Sequence, residues 1–239
     1  MDFGKLCQMF DAAKTIEADF LHFRTTDSGL YVYAVSKHNV SSMLAEFEKV
    51  TSEVDFCSVY LKYACKIFRN LRWVRGDTTA RISANGMELS VNGLHLRLRV
   101  DFDESFPLDT LLSIEGTLLK TAQHIEVDRK KLLSLCRAAK FIGYNIILQT
   151  IPKEDMLVVE AAGDGDKLSY RFSGDVSWGE DVEDEDAEEQ KIVLNPEIFE
   201  DVLVNNLLGK TVRVYIRNNM PVMVSGNGVR FLIAHKVVD

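Results

Sequence analysis

The sequence predicts an α+β protein made of two similar domains, each with two helices packed on antiparallel β-sheets. Amphipathic segments with helical spacing occur in both halves, and short alternating segments joined by turn signals fill the rest. From Thr117 onward the order of elements repeats, which indicates an internal architectural duplication. The 239 residues suffice for two domains of about 120 residues. We expect an N-terminal domain over 1–102, a charged connecting loop over 103–116 and a C-terminal domain over 117–239.

The clearest helix is predicted over 128–141. Asp128 suits its N-cap, because a carboxylate can accept hydrogen bonds from the free backbone N–H groups of the first turn. One side of this helix is apolar and the opposite side is cationic. The apolar side carries Leu132, Leu135, Cys136 and Ala139, and the cationic side carries Lys130, Arg137 and Lys140.

The segment 61–72 has the same design, with an apolar stripe opposite Lys62, Lys66 and Arg69. Basic side chains on a single surface helix usually serve only solvation, but here two helices in corresponding places share the pattern. Two further helices are predicted, over 5–16 and from Pro196 to near Gly209. Asn195 is the N-cap of the latter, with proline at its first position.

Alternating or apolar segments between turn residues predict the strands. Asn-Gly pairs at 85–86, 92–93 and 227–228 are strong hairpin signals, because both residues tolerate positive φ. The predicted strands are 19–24, 30–35, 40–48, 54–59, 79–84, 87–91, 94–102, 123–127, 145–151, 156–161, 167–172, 191–194, 212–217, 221–225 and 229–237.

The net charge of −8 is concentrated in one acidic run, which has eight acids within residues 180–189. Without them the chain has 36 − 8 = 28 acidic against 28 basic residues, so overall charge does not argue against a nucleic-acid partner. Like charges resist compaction, and a solvated loop is favoured over a regulatory or DNA-repelling role. No transmembrane or signal-peptide pattern is present, and an intracellular protein with reduced, buried cysteines is expected.

Catalytic signatures are missing from the sequence. It contains no phosphate-binding glycine loop, nucleophile elbow or zinc-protease motif, and its five histidines are scattered. We therefore expect a non-enzymatic binding protein with no cofactor and no metal.

The layout resembles the trimeric DNA sliding clamp family, which includes proliferating cell nuclear antigen and its archaeal and viral relatives. The most specific matches are the stretches 27–30, 35–40, 132–143, 219–222 and 231–237. The resemblance implies a ring of subunits around duplex DNA, with helices on the inside and sheets outside. It would be a processivity factor for DNA replication and DNA repair, loaded by a clamp-loader ATPase. The expected location is DNA-associated, in the cytoplasm of a prokaryote or the nucleus of a eukaryote.

The resemblance also implies sites. Subunits would meet edge to edge through the strands 94–102 and 167–172. The ring would contact phosphates without reading bases, through Lys14, Lys66, Arg69, Arg72, Lys130, Arg137 and Lys140. DNA polymerase and other enzymes would insert a short hydrophobic motif into a partner-binding pocket made of Val35, Asn39, Met43, Phe106, Pro107, Pro221, Leu232, Ala234 and His235.

Three departures from the family pattern leave alternatives open. The fourth helix carries Glu197, Glu200 and Asp201 in place of cations, His235 replaces a proline, and Ser36 replaces an aspartate. The chain could form a homotrimer, or it could be a checkpoint-type, viral or other heteromeric clamp subunit. From a different class, it could be an α+β protein-interaction scaffold that never binds DNA and whose basic helices dock an acidic partner.

Overall fold

The computed structural model describes residues 2–27, 29–47, 51–102, 108–163, 165–181 and 188–236. The chain divides into two compact units, Met1–Leu108 and Asp109–Asp239. Each unit has a pair of packed helices and antiparallel strands, which confirms the predicted α+β class. None of the described helices combines the length and apolar character needed to cross a bilayer.

Unit 1 holds the helices α1 (Phe3–Thr15) and α2 (Leu61–Asn70). Four antiparallel strands lie in the order β5-β1-β2-β3. A second sheet has the order β4-β6-β7-β8, in which only the β4–β6 pair is parallel. The strands are β1 (Phe20–Thr25), β2 (Leu30–Val35), β3 (Ser41–Phe47), β4 (Thr51–Ser52), β5 (Phe56–Tyr60), β6 (Thr79–Ser83), β7 (Gly86–Val91) and β8 (Leu94–Leu98).

Unit 2 holds α3 (Leu108–Thr121), which begins at the unit boundary, α4 (Arg129–Ile142) and α5 (Pro196–Leu203). Its antiparallel strands have the orders β16-β15-β14-β9 and β12-β11-β10-β13. The strands are β9 (Gln123–Asp128), β10 (Ile146–Ile151), β11 (Met156–Ala162), β12 (Lys167–Ser173), β13 (Gln190–Leu194), β14 (Thr211–Ile216), β15 (Val222–Gly226) and β16 (Val229–Ile233).

Local signals placed most of these elements correctly. The Asp128 carboxylate accepts from the backbone N–H of Lys131 at 2.8 Å, and the Asn195 side chain accepts from that of Glu197 at 2.9 Å. Both predicted N-caps are therefore confirmed. The strand predicted over 94–102 is shorter, because β8 ends at Leu98; beyond it, Asp101 forms an isolated bridge to Ser58.

The prediction of a connecting loop over 103–116 is wrong for its second half. Residues from 108 onward form the helix α3, and residues 103–107 lie outside the described part of the chain.

Helix α3 was missed because a charged residue occupies its buried side. Leu111 and Leu118 are buried at a spacing of seven, and Glu115 between them is buried as well. Its carboxylate accepts a hydrogen bond from Arg230 of β16. The loop was predicted from the charges and the proline of the stretch 103–109. A carboxylate and the adjacent Gly116 also interrupt the apolar periodicity that predicts a helix.

The helix pair of each unit packs through apolar and thiol groups. In unit 1 the rings of Phe10 and Phe68 stack at 4.1 Å between centroids, and Phe3 lies against Phe68 at 5.7 Å. In unit 2 the Cys136 thiol of α4 donates to the carbonyl of Pro196 of α5 at 3.0 Å. Burial raises the pKa of Cys136 to about 12. The four cysteines are free and buried, as predicted.

Candidate nucleic-acid interface

Helix α2 carries a row of exposed cations on one of its faces. Lys62, Lys66 and Arg69 stand at spacings of four and three, so they share one face of the helix. The opposite stripe, which includes Phe68, is buried against the rest of unit 1. Within the described residues none of the three cations forms an ion pair. The sequence prediction of an amphipathic helix with cations on its outward face is therefore correct for α2.

The other two predicted cations of unit 1 differ from each other. Lys14 is exposed in the last turn of α1, where the negative end of the helix dipole favours a cation. Arg72 follows α2 and forms an ion pair with Asp11 of α1. The ion pair therefore links the segment after α2 to α1 and neutralises part of the Arg72 charge.

In unit 2 a carboxylate from α5 holds two of the predicted cations. Arg137 Nε donates to Glu200 Oε1 at 2.8 Å, and Lys140 Nζ donates to Glu200 Oε2 at 2.8 Å. Hydrogen bonds from Lys140 and Arg137 lower the pKa of Glu200, and the bond to Glu200 raises the pKa of Lys140. Lys130 is exposed and has no ion-pair partner among the described residues. The helix pair of unit 2 is thus less cationic than that of unit 1.

Arg129, at the first position of α4, was not singled out from the sequence. It is buried, and its guanidinium donates to the carbonyl oxygens of Gly209 at 2.6 Å, Leu203 at 2.7 Å and Asn205 at 3.1 Å. It therefore satisfies carbonyls at and after the C-terminus of α5 and ties that segment to α4. A cation in the first turn of a helix is electrostatically unfavourable, and that position was the one sequence signal for such a role.

Two sheet edges are bordered by grooves. Strand β8 is the last strand of its sheet, and a groove of about 730 Å³ separates it from α2. Strand β12 is the last strand of another sheet, and a groove of about 400 Å³ lies between it and α4. The first groove is lined in part by Tyr60, Tyr63, Ile67, Arg97, Arg99 and Asp101, and the second by Lys130, Lys131, Ser134, Leu135 and Tyr170.

Comparison of structures identifies the fold, whereas comparison of sequences finds no match. No protein-family model matches the sequence, and no curated protein matches it. A crystal structure of PCNA from Thermococcus kodakaraensis does match, with a TM-score of 0.71 over 97% of this chain and 96% of that chain. The chain has a PCNA-like sliding-clamp fold. At 17% sequence identity the likeness establishes the fold, and it confirms the family resemblance at that level.

The residues predicted for the partner-binding pocket of a PCNA-like clamp differ in exposure. Met43 and Leu232 are buried, whereas Asn39 is exposed and has a positive φ of 55°. Phe106 and Pro107 lie outside the described residues. The pocket therefore stays a prediction. Its remaining members, all intermediate in exposure, are Val35, Pro221, Ala234 and His235.

Proposed function

We propose that the chain is a non-enzymatic subunit of a DNA sliding clamp, which encircles duplex DNA and tethers replication and repair enzymes to it. The observation that carries this proposal is the exposed cation row of α2, formed by Lys62, Lys66 and Arg69, on a PCNA-like fold. None of these cations has an ion-pair partner in the described part of the chain. Cations on an exposed helix face attract phosphates of any sequence, and this supports binding without base readout.

The remaining cations would make a weaker contribution. Lys14 and Lys130 are exposed and unpaired within the described residues, so they add to the phosphate-binding surface. Arg137 and Lys140 share the Glu200 carboxylate, which offsets part of their charge. A moderate and sequence-independent attraction suits sliding, because tight contacts would hold the ring at one position.

Ring formation and tethering complete the proposal. The free edges of β8 and β12 would pair with those of neighbouring subunits, since a closed ring leaves no edge unpaired. Enzymes such as DNA polymerase would bind through short hydrophobic motifs in the partner-binding pocket, and a separate ATPase would load the ring.

The test compares charge reversals with a matched control. We expect Lys66→Glu with Arg69→Glu to weaken binding to a labelled duplex, measured by fluorescence anisotropy against salt. Losing two phosphate contacts should reduce the magnitude of the negative slope of log K against log salt by roughly 2. The control reverses Lys153 and Lys191, which are also exposed but lie outside α1, α2 and α4.

The proposal fails if both double variants bind DNA like the wild type, or if the wild type does not bind duplex DNA at low salt. The latter result would favour the protein-interaction scaffold. A second measurement follows retention of the assembled ring on circular and linearised DNA. Encirclement requires retention on the circle and loss from the free ends.

A further inference from the structure

Trp73 lies in the turn that follows α2, and its side chain is 75% exposed. The next residue, Val74, is buried, and its N–H donates to the carbonyl of Leu71 at 2.9 Å. A tryptophan this exposed is uncommon on a folded domain, because the large ring usually contributes to a core or an interface. The ring of Trp73 is therefore available to a partner and adds little to the core of unit 1.

The backbone beyond Trp73 is held from two sides. The Asn92 side chain, from the β7–β8 hairpin, donates to the carbonyl of Arg75 at 2.6 Å. The N–H of Phe3, in the first turn of α1, donates to the carbonyl of Gly76 at 3.1 Å. A ring carried on a fixed backbone loses less conformational entropy when it binds a partner.

The turn lies in a cationic part of unit 1. Residues 2–15 and 61–77 together contain seven lysines and arginines against three aspartates, which leaves 7 − 3 = 4 positive charges. Arg72 is exposed and forms an ion pair with Asp11, whereas Arg75 is exposed and donates to backbone carbonyls of the turn. A negatively charged partner is therefore favoured.

An exposed aromatic ring among cations suits single-stranded nucleic acid. The ring can stack on a base of any sequence while the cations attract the neighbouring phosphates. An intact duplex does not offer such a contact, because its bases are stacked on one another. A membrane surface suits the turn less well, because interfacial segments insert a broad apolar face, whereas an arginine precedes Trp73 and Arg75 follows two positions later.

Unit 2 has exposed aromatic rings at the corresponding end of α4, but with less positive charge around them. Phe141 is 91% exposed and Tyr144 is 90% exposed. Residues 128–143 and 195–205 contain five lysines and arginines against four acids, which leaves 5 − 4 = 1 positive charge, and one of the five is the buried Arg129. Unit 1 is therefore the better candidate.

We propose that Trp73, together with Arg72 and Arg75, forms a stacking site for an unpaired base of single-stranded DNA. The indole would stack on the base, and the arginines and the cation row of α2 would attract the adjoining phosphates. This inference deepens the proposed function and rests on it, because it assigns a second form of DNA to the same cationic helix.

The test separates base contacts from phosphate contacts. Fluorescence anisotropy compares a labelled oligothymidine of about 12 nucleotides with an abasic sugar–phosphate chain of the same length. We expect the wild type to bind oligothymidine about 10-fold more tightly than the abasic chain, and Trp73→Ala to remove that preference. Trp73→Phe keeps an aromatic ring and should retain part of it. Circular dichroism establishes that each variant is folded.

Tyr144→Ala is the matched control, because it removes a highly exposed ring from the other unit and should keep the preference of the wild type. Fluorescence supplies an independent readout. The chain has two tryptophans, so Trp178→Phe leaves Trp73 as the single reporter. A base stacked on the indole quenches its emission, and we expect saturable quenching with oligothymidine and none with the abasic chain.

The proposal is overturned if the wild type binds the two chains equally, or if Trp73→Ala keeps the full preference for oligothymidine. Binding to vesicles of anionic phospholipid that depends on Trp73, without binding to oligothymidine, would also overturn it.

Failure here is separable from failure of the clamp function. Binding to a blunt-ended duplex should depend on Lys66 and Arg69 and should be unchanged in Trp73→Ala. Duplex binding without a preference for bases would overturn the stacking site alone. A preference for bases without duplex binding would overturn the clamp function alone.

Discussion

Arg137 of α4 donates a hydrogen bond to Glu200 of α5 at 2.8 Å, and this bond places a carboxylate within a face that the sequence of α4 predicts to be basic. Lys140 bonds to the other oxygen of the same carboxylate. The Glu200 side chain is only 18% exposed, whereas that of Arg137 is 56% exposed. Glu200 therefore stabilises the α4–α5 pair and also moderates the positive charge that unit 2 offers to a polyanion.

Glu200→Gln should strengthen sequence-independent binding to duplex DNA. The amide removes the negative charge, so Arg137 and Lys140 become available to phosphates. We expect up to about 10-fold tighter binding at low salt and a steeper salt dependence, measured by fluorescence anisotropy. Glu197→Gln is the matched control, because Glu197 is exposed on the same helix and forms no ion pair within the described residues. Equal effects of the two variants would mean that only net charge matters.

The bonds to Glu200 should also make stability depend on pH. The pKa of Glu200 is lowered in the folded state by its bonds to Lys140 and Arg137, from an ordinary value of 4.5. Its contribution is therefore fully present above that value and is lost as the pH falls through the lower folded pKa. Urea unfolding of the wild type and Glu200→Gln should differ by about 1 kcal/mol or less at pH 7. The difference should shrink at acidic pH, and a constant difference would contradict this explanation.

Phe68→Ala should destabilise unit 1 strongly. The ring is buried between Phe3 and Phe10, and truncation leaves a cavity where α1 and α2 meet. We expect a loss of about 3–5 kcal/mol in the free energy of unfolding, measured by urea denaturation. Ile67→Ala is the adjacent control, since its partly exposed side chain should cost much less. Similar losses at the two positions would show that the Phe68 site collapses after truncation.

Glu115→Ala should loosen α3 from the sheet of unit 2. The variant removes the carboxylate that accepts from Arg230 of β16, and it leaves a half-buried guanidinium with fewer partners. The expected loss is about 1–3 kcal/mol, whereas Glu115→Gln keeps an acceptor and should lose less. Hydrogen exchange in α3 supplies the local readout. Unchanged protection in Glu115→Ala would show that apolar packing alone holds the helix.

Helices α4 and α5 show which features a local sequence pattern can predict and which it cannot. Residue spacing correctly predicted the apolar and basic faces of α4. The N-caps Asp128 and Asn195 were also predictable, because each side chain bonds to a backbone N–H only three or two positions away. The bond from Arg137 to Glu200 joins residues 63 positions apart. No local period specifies which of several acids on α5 meets a given cation, so the sequence indicated acidic character there but not the pairing.

The sequence by itself determined the two-part α+β organisation, the amphipathic helices, most strands and the hairpin turns, because periodicity, capping and Asn-Gly turns act over a few residues. Tertiary structure decided what those signals do not encode. It paired the buried Glu115 of α3 with Arg230, which lies 115 positions away, and it placed Arg129 in a buried, bonded position. It also brought Lys130 and Lys131 to the edge of β12. The physical reason is that the free energy of a buried or paired charge depends on its neighbours in space.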